Sequence, residues 1–175
     1  MKIGVIADTH LSKPSITLRQ LAHGTFSKVD VILHAGDLTS LAVLDVFSNK
    51  QTYVVRGHKD PKVIANMLPE HQMIQINGYL IGLIHGPGGS GDIESRLVKF
   101  FHNAHCIVYG YTHRPSNHIR SGILMFNPGA FSGKFPFRRN RSIGILTIDK
   151  GISGEIIPLK SITKSPQIQT IRGPN

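Results

Sequence analysis

Apolar and polar positions along the chain follow two periods. After Lys2, residues 3–7 form an apolar run with β-branched members, the pattern of a buried strand, which runs into Asp8-Thr9-His10. Ile16, Leu18, Leu21, Ala22 and Phe26 then fall on one face of a helix. Ser12 or Ser15 is placed to cap it and Pro14 to sit in its first turn. Residues 29–33 predict a second buried strand ending His34-Ala35-Gly36-Asp37. Residues 41–47 predict a short helix, and residues 52–55 a third strand ending Arg56-Gly57-His58-Lys59-Asp60. Pro61 opens another short helix. Strand and helix in alternation predict a parallel sheet with helical crossovers.

From His71 onward the period shortens. Residues 71–76 and 79–84 flank Asn77-Gly78, a strong two-residue hairpin signal, and the second arm ends His85-Gly86. Glycine-rich residues 86–91 look like a phosphate cradle but lack its Gly-Lys-Ser/Thr ending, so they read better as the lead-in to a helix capped by Asp92. That helix would bury Ile93, Leu97, Phe100 and Phe101. Residues 105–110 predict a strand ending Gly110-Tyr111-Thr112-His113. Two hairpins follow, residues 117–120 with 123–126 around Ser121-Gly122, and 142–148 with 155–159 around Lys150-Gly151. The whole predicts an α/β fold of two mixed sheets packed together with helices outside. One domain would occupy residues 1–160, with residues 161–175 a polar tail.

Composition narrows the partners. The chain has 175 residues and 40% hydrophobic content, which suits one globular domain. No apolar run approaches the roughly 18 residues of a membrane span, and the N-terminus does not read as a signal peptide, so a cytoplasmic protein without membrane attachment is expected. The single cysteine, Cys106, lies in an apolar run and reads as a core residue. A net charge of +10 favours polyanionic partners such as nucleotides, phosphorylated substrates or nucleic acid, with a local basic concentration at residues 134–141. In the same loop Phe131, Phe135 and Phe137 are either a contact surface for a protein partner or core residues.

The candidate chemistry sits at strand ends. On an extended chain residues i and i+2 share a side, so Asp8 and His10 would project together, and a carboxylate beside an imidazole suits a borderline divalent metal. Three consecutive strands end in Asp-x-His, Gly-Asp and Gly-His-Lys-Asp, where parallel sheets gather their ligands. Asp60 reads as a residue that orients the third loop, and His34 as a packing residue. His23, His71, His102, His105 and His118 read as surface histidines.

With His85-Gly86, Gly110-Tyr111-Thr112-His113 and Asn127-Pro128-Gly129-Ala130 added, the series resembles the calcineurin-like metallophosphoesterases, in particular their small single-domain phosphodiesterases. The family pattern is Asp-x-His, Gly-Asp, Gly-Asn-x-Asp/Glu, His-Gly-His, Gly-His-x-His and Asn-Pro-Gly-Ser. The resemblance implies a four-layer α/β/β/α sandwich and one or two divalent ions (manganese, nickel, zinc or iron). Asp8, His10, Asp37 and His113 would bind the first, and Asp37, His85 and His58 the second. Asp37 would bridge them. Four positions depart from the pattern: His58 replaces an asparagine, Pro87 and Tyr111 replace histidines, and Ala130 replaces a serine. Lys59 stands where many relatives carry a catalytic histidine. The implied activity is a metal-dependent phosphoesterase, in particular a phosphodiesterase acting on a phosphate ester such as a nucleotide. His58 and Lys59, with Arg114, would stabilise the phosphate. The alternative is a weak or inactive phosphoesterase fold used as a binding or scaffold protein, as in the retromer subunit of this fold. A protein partner or homo-oligomer accompanies that reading.

Overall fold

The computed structural model describes residues 1–89, 91–132 and 141–162. Ten strands and four short α-helices follow one another along these residues. The first half contains β1 (Lys2–Ile6), α1 (Ile16–His23), β2 (Val31–His34), β3 (Gln51–Val54), α2 (Lys62–Met67), β4 (His71–Ile76) and β5 (Tyr79–Ile84). The second contains α3 (Ile93–Phe100), β6 (Cys106–Tyr109), β7 (Ser116–Arg120), β8 (Ile123–Asn127), β9 (Ser142–Ile148), β10 (Ile152–Pro158) and α4 (Leu159–Ile162). The strands form two five-stranded sheets, ordered β10-β9-β1-β2-β3 and β4-β5-β6-β8-β7. Both are mixed. In the first, β1, β2 and β3 are parallel, β9 pairs antiparallel with β1, and β10 pairs antiparallel with β9. In the second, β5, β6 and β8 are parallel, flanked by antiparallel β4 and β7.

Strand alternation assigns each side chain to a layer. Ile3, Val5, Val31, Leu33, Ile81, Leu83, Val108 and Phe126 meet between the sheets, joined there by the fully buried Cys106. The opposite faces carry helices. Ile6, Ile32 and Ile143 pack on Leu18 and Leu21 of α1, and Ile84, Ile107 and Met125 pack on Leu97 of α3 and the adjoining Phe101. Gly4 faces that first outer layer, where a Cβ would lie 3.0 Å from the Phe26 ring, so the strand admits the phenyl at the expense of a side chain. This is the four-layer α/β/β/α sandwich expected. Among the described residues no helix is long and apolar enough to cross a membrane.

Several local expectations change. The cap of α1 is Ser15, whose hydroxyl accepts the Leu18 N–H at 3.2 Å; Pro14 therefore precedes the helix instead of entering its first turn. Ile16 at the helix start is 77% exposed, and Phe26 lies in a separate 3-10 turn, Thr25–Lys28. The helix over Leu41–Phe47 is also 3-10. Asp92 caps α3 as predicted, accepting from Ser95 N, but Phe100 is 54% exposed and stacks edge-on against His71. Phe131 is buried and its N–H bonds to the Ala7 carbonyl at 2.9 Å, so it belongs to the core and not to a contact surface. Phe135, Phe137, basic residues 134–140 and the tail from 163 lie outside the described residues.

Candidate metal centre

The carboxyl ends of β1, β2 and β3 in one sheet meet those of β5 and β6 in the other. Backbone bonds lock these ends together. Asp8 N donates to the Gly36 carbonyl at 3.0 Å, His10 N to Asp37 at 3.0 Å, and Gly110 N to His85 at 2.9 Å. The chain pays for the convergence in backbone geometry. Among the described non-glycine residues, Asn77 and Ser121 have positive φ because they sit in hairpin turns; the others are Asp8, His10, Asp37, Thr39, Tyr111 and His113, all at this junction. Left-handed residues of this kind cost about 1–3 kcal/mol each and persist where the surroundings over-determine them. Asp8 and His10 do approach, with His10 Nε2 3.8 Å from Asp8 Oδ1. They do so through left-handed turns after β1 has ended, not through the extended alternation expected.

Two groups of potential ligands form. Asp8, His10 and His113 present ligand atoms within 4.8 Å of one another, as do Asp8, Asp37 and His85. His113 Nε2 lies 3.0 Å from Asp8 Oδ1. Asp37 Oδ2 lies 3.6 Å from His10 Nε2 and 3.4 Å from His85 Nε2. Asp8 is thus common to both groups, while Asp37 touches a histidine of each. His85 Nδ1 is 2.7 Å from the Ala35 carbonyl and must donate its proton there, so Nε2 carries the lone pair and faces the carboxylates. Burial opposes charge on His85, but Asp37 and Asp8 outweigh it and its pKa is raised. The Asp8 contact likewise raises that of His113 against partial burial. Burial alone would raise the Asp37 carboxyl; His85 and the Lys59 N–H overcome it and bring it down to about 2.

A second layer holds these groups in place. The Lys59 N–H donates to Asp37 Oδ1 at 2.7 Å. Asp60 accepts from Gly57 N and from Thr39 N, both at 2.7 Å, and so ties the third loop to the second, the orienting role expected of it. At Gly57 a Cβ would fall 2.2 Å from Asp37 Oδ1, so only glycine lets this loop pass so close. His34 is fully buried, desolvated down to a pKa of about 3, and its Nε2 meets Thr9 Oγ1 at 3.2 Å between Asp8 and His10. Asn127 was legible in sequence only as part of a turn. Its amide donates to the Gly110 carbonyl at 2.7 Å and to Thr112 Oγ1 at 3.1 Å, which braces the loop carrying His113.

The remaining predicted residues spread over the rim. His10, Asp37, His58, Lys59, Tyr111 and His113 line an open groove of about 660 Å³. His58 stands outside both ligand groups; its exposed ring packs against Tyr111 and His85 at centroid distances of 5.1 and 5.4 Å. Lys59 reaches the site through its backbone, while its side chain is exposed. Pro87 and Arg114 are exposed and Ala130 is buried.

The donor set fits a divalent cation. The Asp8 oxygens and His85 Nε2 are buried, and the polar atoms nearest to them are other candidate ligands, His113 Nε2 for Asp8 Oδ1 and Asp37 Oδ2 for His85 Nε2, a costly arrangement unless something positive satisfies the cluster. Carboxylate oxygen with imidazole nitrogen is the combination that borderline divalent metals accept. Lys59 and His58 on the rim add donors suited to an anion.

Comparison with known proteins agrees with this chemistry. The family model described as "Calcineurin-like phosphoesterase superfamily domain" matches residues 1–151. A protein of Methanocaldococcus jannaschii described as a probable metallophosphoesterase is 33% identical over 165 residues, 91% of this chain and 82% of that protein. A phosphodiesterase of the same organism is 25% identical over 170 residues, 90% of this chain and 99% of the other. Among solved structures, Vps29 of Entamoeba histolytica complexed with zinc superposes with a TM-score of 0.67 at 22% identity, over 91% of this chain and 99% of that one.

Proposed function

The chain belongs to the calcineurin-like phosphoesterase superfamily, and on that premise we propose that it is a metal-dependent phosphodiesterase whose second metal position is altered. The observation that carries the reading is the buried cluster of ligand atoms, the Asp8 oxygens and His85 Nε2, whose nearest polar neighbours are the other candidate ligands Asp37, His10 and His113. The similarity to an archaeal phosphodiesterase along 90% of the chain supports the diester class. We place the catalytic domain at residues 1–160.

In this reading Asp8, His10 and His113 would hold one cation, and Asp37 and His85, with Asp8, would hold the other. Divalent cations at such a site draw charge from a phosphate and make water nucleophilic at neutral pH. The chain's own residues do the rest. The Ala35 carbonyl keeps the His85 lone pair aimed inward. The Lys59 N–H fixes one Asp37 oxygen, leaving the other free to face the histidines. The Lys59 ammonium at the groove offers a point charge to a phosphate oxygen. His58 donates to the same phosphate, positioned by ring contact with Tyr111. The positive net charge of the chain attracts such anions.

Purified protein supplied with manganese or nickel should hydrolyse bis(4-nitrophenyl) phosphate, and His10→Ala should abolish the reaction. Activity that survives His10→Ala would sink the assignment. Absence of turnover with every divalent metal tried, by a folded protein, would instead support a binding protein on the same fold.

A further inference from the structure

Beside the main groove lies a second, smaller pocket of about 240 Å³, lined by Arg56, His58, Ala65, Glu70, His85 and Gly86 among others. Among the described residues lining the two openings, His58 alone is common to both. His85 lines the small pocket while its Nε2 lies 3.4 Å from Asp37 Oδ2, and Asp37 lines the groove. Candidate ligands thus line two openings, Asp37, His10 and His113 the groove and His85 the small pocket, and His58 lines both.

We propose that the small pocket is a subsite for one ester arm of a phosphodiester, and that the arm it takes is a sugar. The proposal rests on the phosphodiesterase reading above and deepens it. A phosphate at the metal centre carries two ester oxygens in a diester and one in a monoester. Two openings lined by candidate ligands match the first case. The chemistry of the pocket selects the arm. Arg56 Nη2 and Glu70 Oε2 form an ion pair at 2.7 Å on its wall. A guanidinium already neutralised by a carboxylate has little use for a second phosphate. The pair instead presents donors and acceptors side by side, which a hydroxyl, itself both donor and acceptor, can satisfy together. The Ala65 methyl adds a small apolar surface suited to sugar carbons. The volume is below the usual 300–1,000 Å³ of pockets for larger ligands, so the arm is sugar-sized at the pocket and anything beyond it projects outward.

The test compares three substrates with manganese-loaded protein. They are 4-nitrophenyl thymidine 5′-phosphate (a sugar arm), bis(4-nitrophenyl) phosphate (a phenyl arm) and 4-nitrophenyl phosphate (no second arm). Arg56→Ala should lower kcat/KM for the thymidine diester about tenfold relative to the monoester, chiefly through KM, as expected for a lost charge-assisted hydrogen bond. The phenyl diester should fall less. Ala65→Phe, which fills the pocket, should lower both diesters relative to the monoester. Ratios unchanged in both variants would overturn the subsite, as would an equal fall for all three substrates in Arg56→Ala, which would mean that Arg56 supports the loop and not the arm. If the unsubstituted protein turns over none of the three, the phosphodiesterase reading fails and takes the subsite with it, a result separable from altered ratios in an active enzyme.

Discussion

The two halves of the candidate metal centre are supported differently. Around Asp8, His10 and His113 the backbone is fixed from several sides. Asp8 N and His10 N bond to the neighbouring loop, and Asn127 braces the turn that carries His113. On the other half, His85 is fixed by the Ala35 carbonyl, but the residues beside it, His58 and Tyr111, hold their places by ring packing. His58 and Tyr111 are also two of the positions at which the sequence departs from the motif series it resembles. Ligand atoms stay where hydrogen bonds behind them hold the ring or carboxylate still. The bonds described for the first half hold its backbone, while those of the second reach the His85 ring and the Asp37 carboxylate but not His58 or Tyr111.

Asp8→Ala should break the comparison most completely, because Asp8 belongs to both ligand groups. Turnover should vanish. So should the stabilisation by metal, which for one site saturated at a hundred times its dissociation constant amounts to about 2.7 kcal/mol. Thermal unfolding with and without manganese reads this directly. A metal-induced rise in Tm that persists in Asp8→Ala would place the cation elsewhere. His58→Ala, in the weakly held half, should keep most of the rise.

Gly57→Ala attacks the support of the second half from behind. The new Cβ would meet Asp37 Oδ1 at 2.2 Å and Asp37 N at 2.3 Å, both too close to be absorbed without moving the loop. Overpacking of this kind costs about 1–3 kcal/mol, to be read from denaturant unfolding of the metal-free protein. Unchanged stability would show that the loop does not press on Asp37 in solution. Asn127→Ala acts on the first half. It removes one of the two donors to the buried Gly110 carbonyl, leaving the Thr112 N–H, together with the bond to Thr112 Oγ1, and should weaken metal binding or activity by roughly tenfold, the lower end for the loss of a supporting partner. Calorimetric titration with manganese would measure it; an unaltered affinity would show that the His113 loop needs no brace.

How much of this was legible in the sequence depends on what held each residue. The β4–β5 hairpin was read to the residue, because Asn77-Gly78 names its own turn and the chain adopts φ of +47° and +82° there. The sandwich was legible because Ile3 and Val5 face one layer while Ile6 faces the other. The residues brought to the junction could be picked out from their strand ends. Their geometry could not. Left-handed φ at Asp8 and His10 is imposed by bonds to Gly36 and Asp37, more than twenty residues away, and strand periodicity carries no trace of it. His58 fell outside the ligand groups for a similar reason. Its neighbours Gly57 and Lys59 both address Asp37, by close approach and by hydrogen bond, while its ring is left to pack on Tyr111. Arg56 was invisible as a pocket residue because its partner, Glu70, lies across α2.

Tyr111→His carries the smallest expected effect and asks the sharpest question about the weaker half. A phenol is a poor ligand for most divalent ions at neutral pH. The position has φ of +67°, and histidine is among the residues that accept the left-handed region more readily, so the exchange adds little strain. It removes the larger ring from beside His58 and puts an imidazole where the Tyr111 ring stood, 5.9 Å from that of His85. If Asp37 and His85 already hold a cation, the added nitrogen should tighten that site by about tenfold or less and leave the first site unchanged, since His113 and its Asn127 brace are untouched. A two-site manganese titration separates the two affinities. A tighter second site would show that Tyr111 was the element weakening it. If only one equivalent of metal binds before and after the exchange, the half containing His85 holds no cation of its own, and His85 serves as a wall of the substrate pockets beside a single-metal centre.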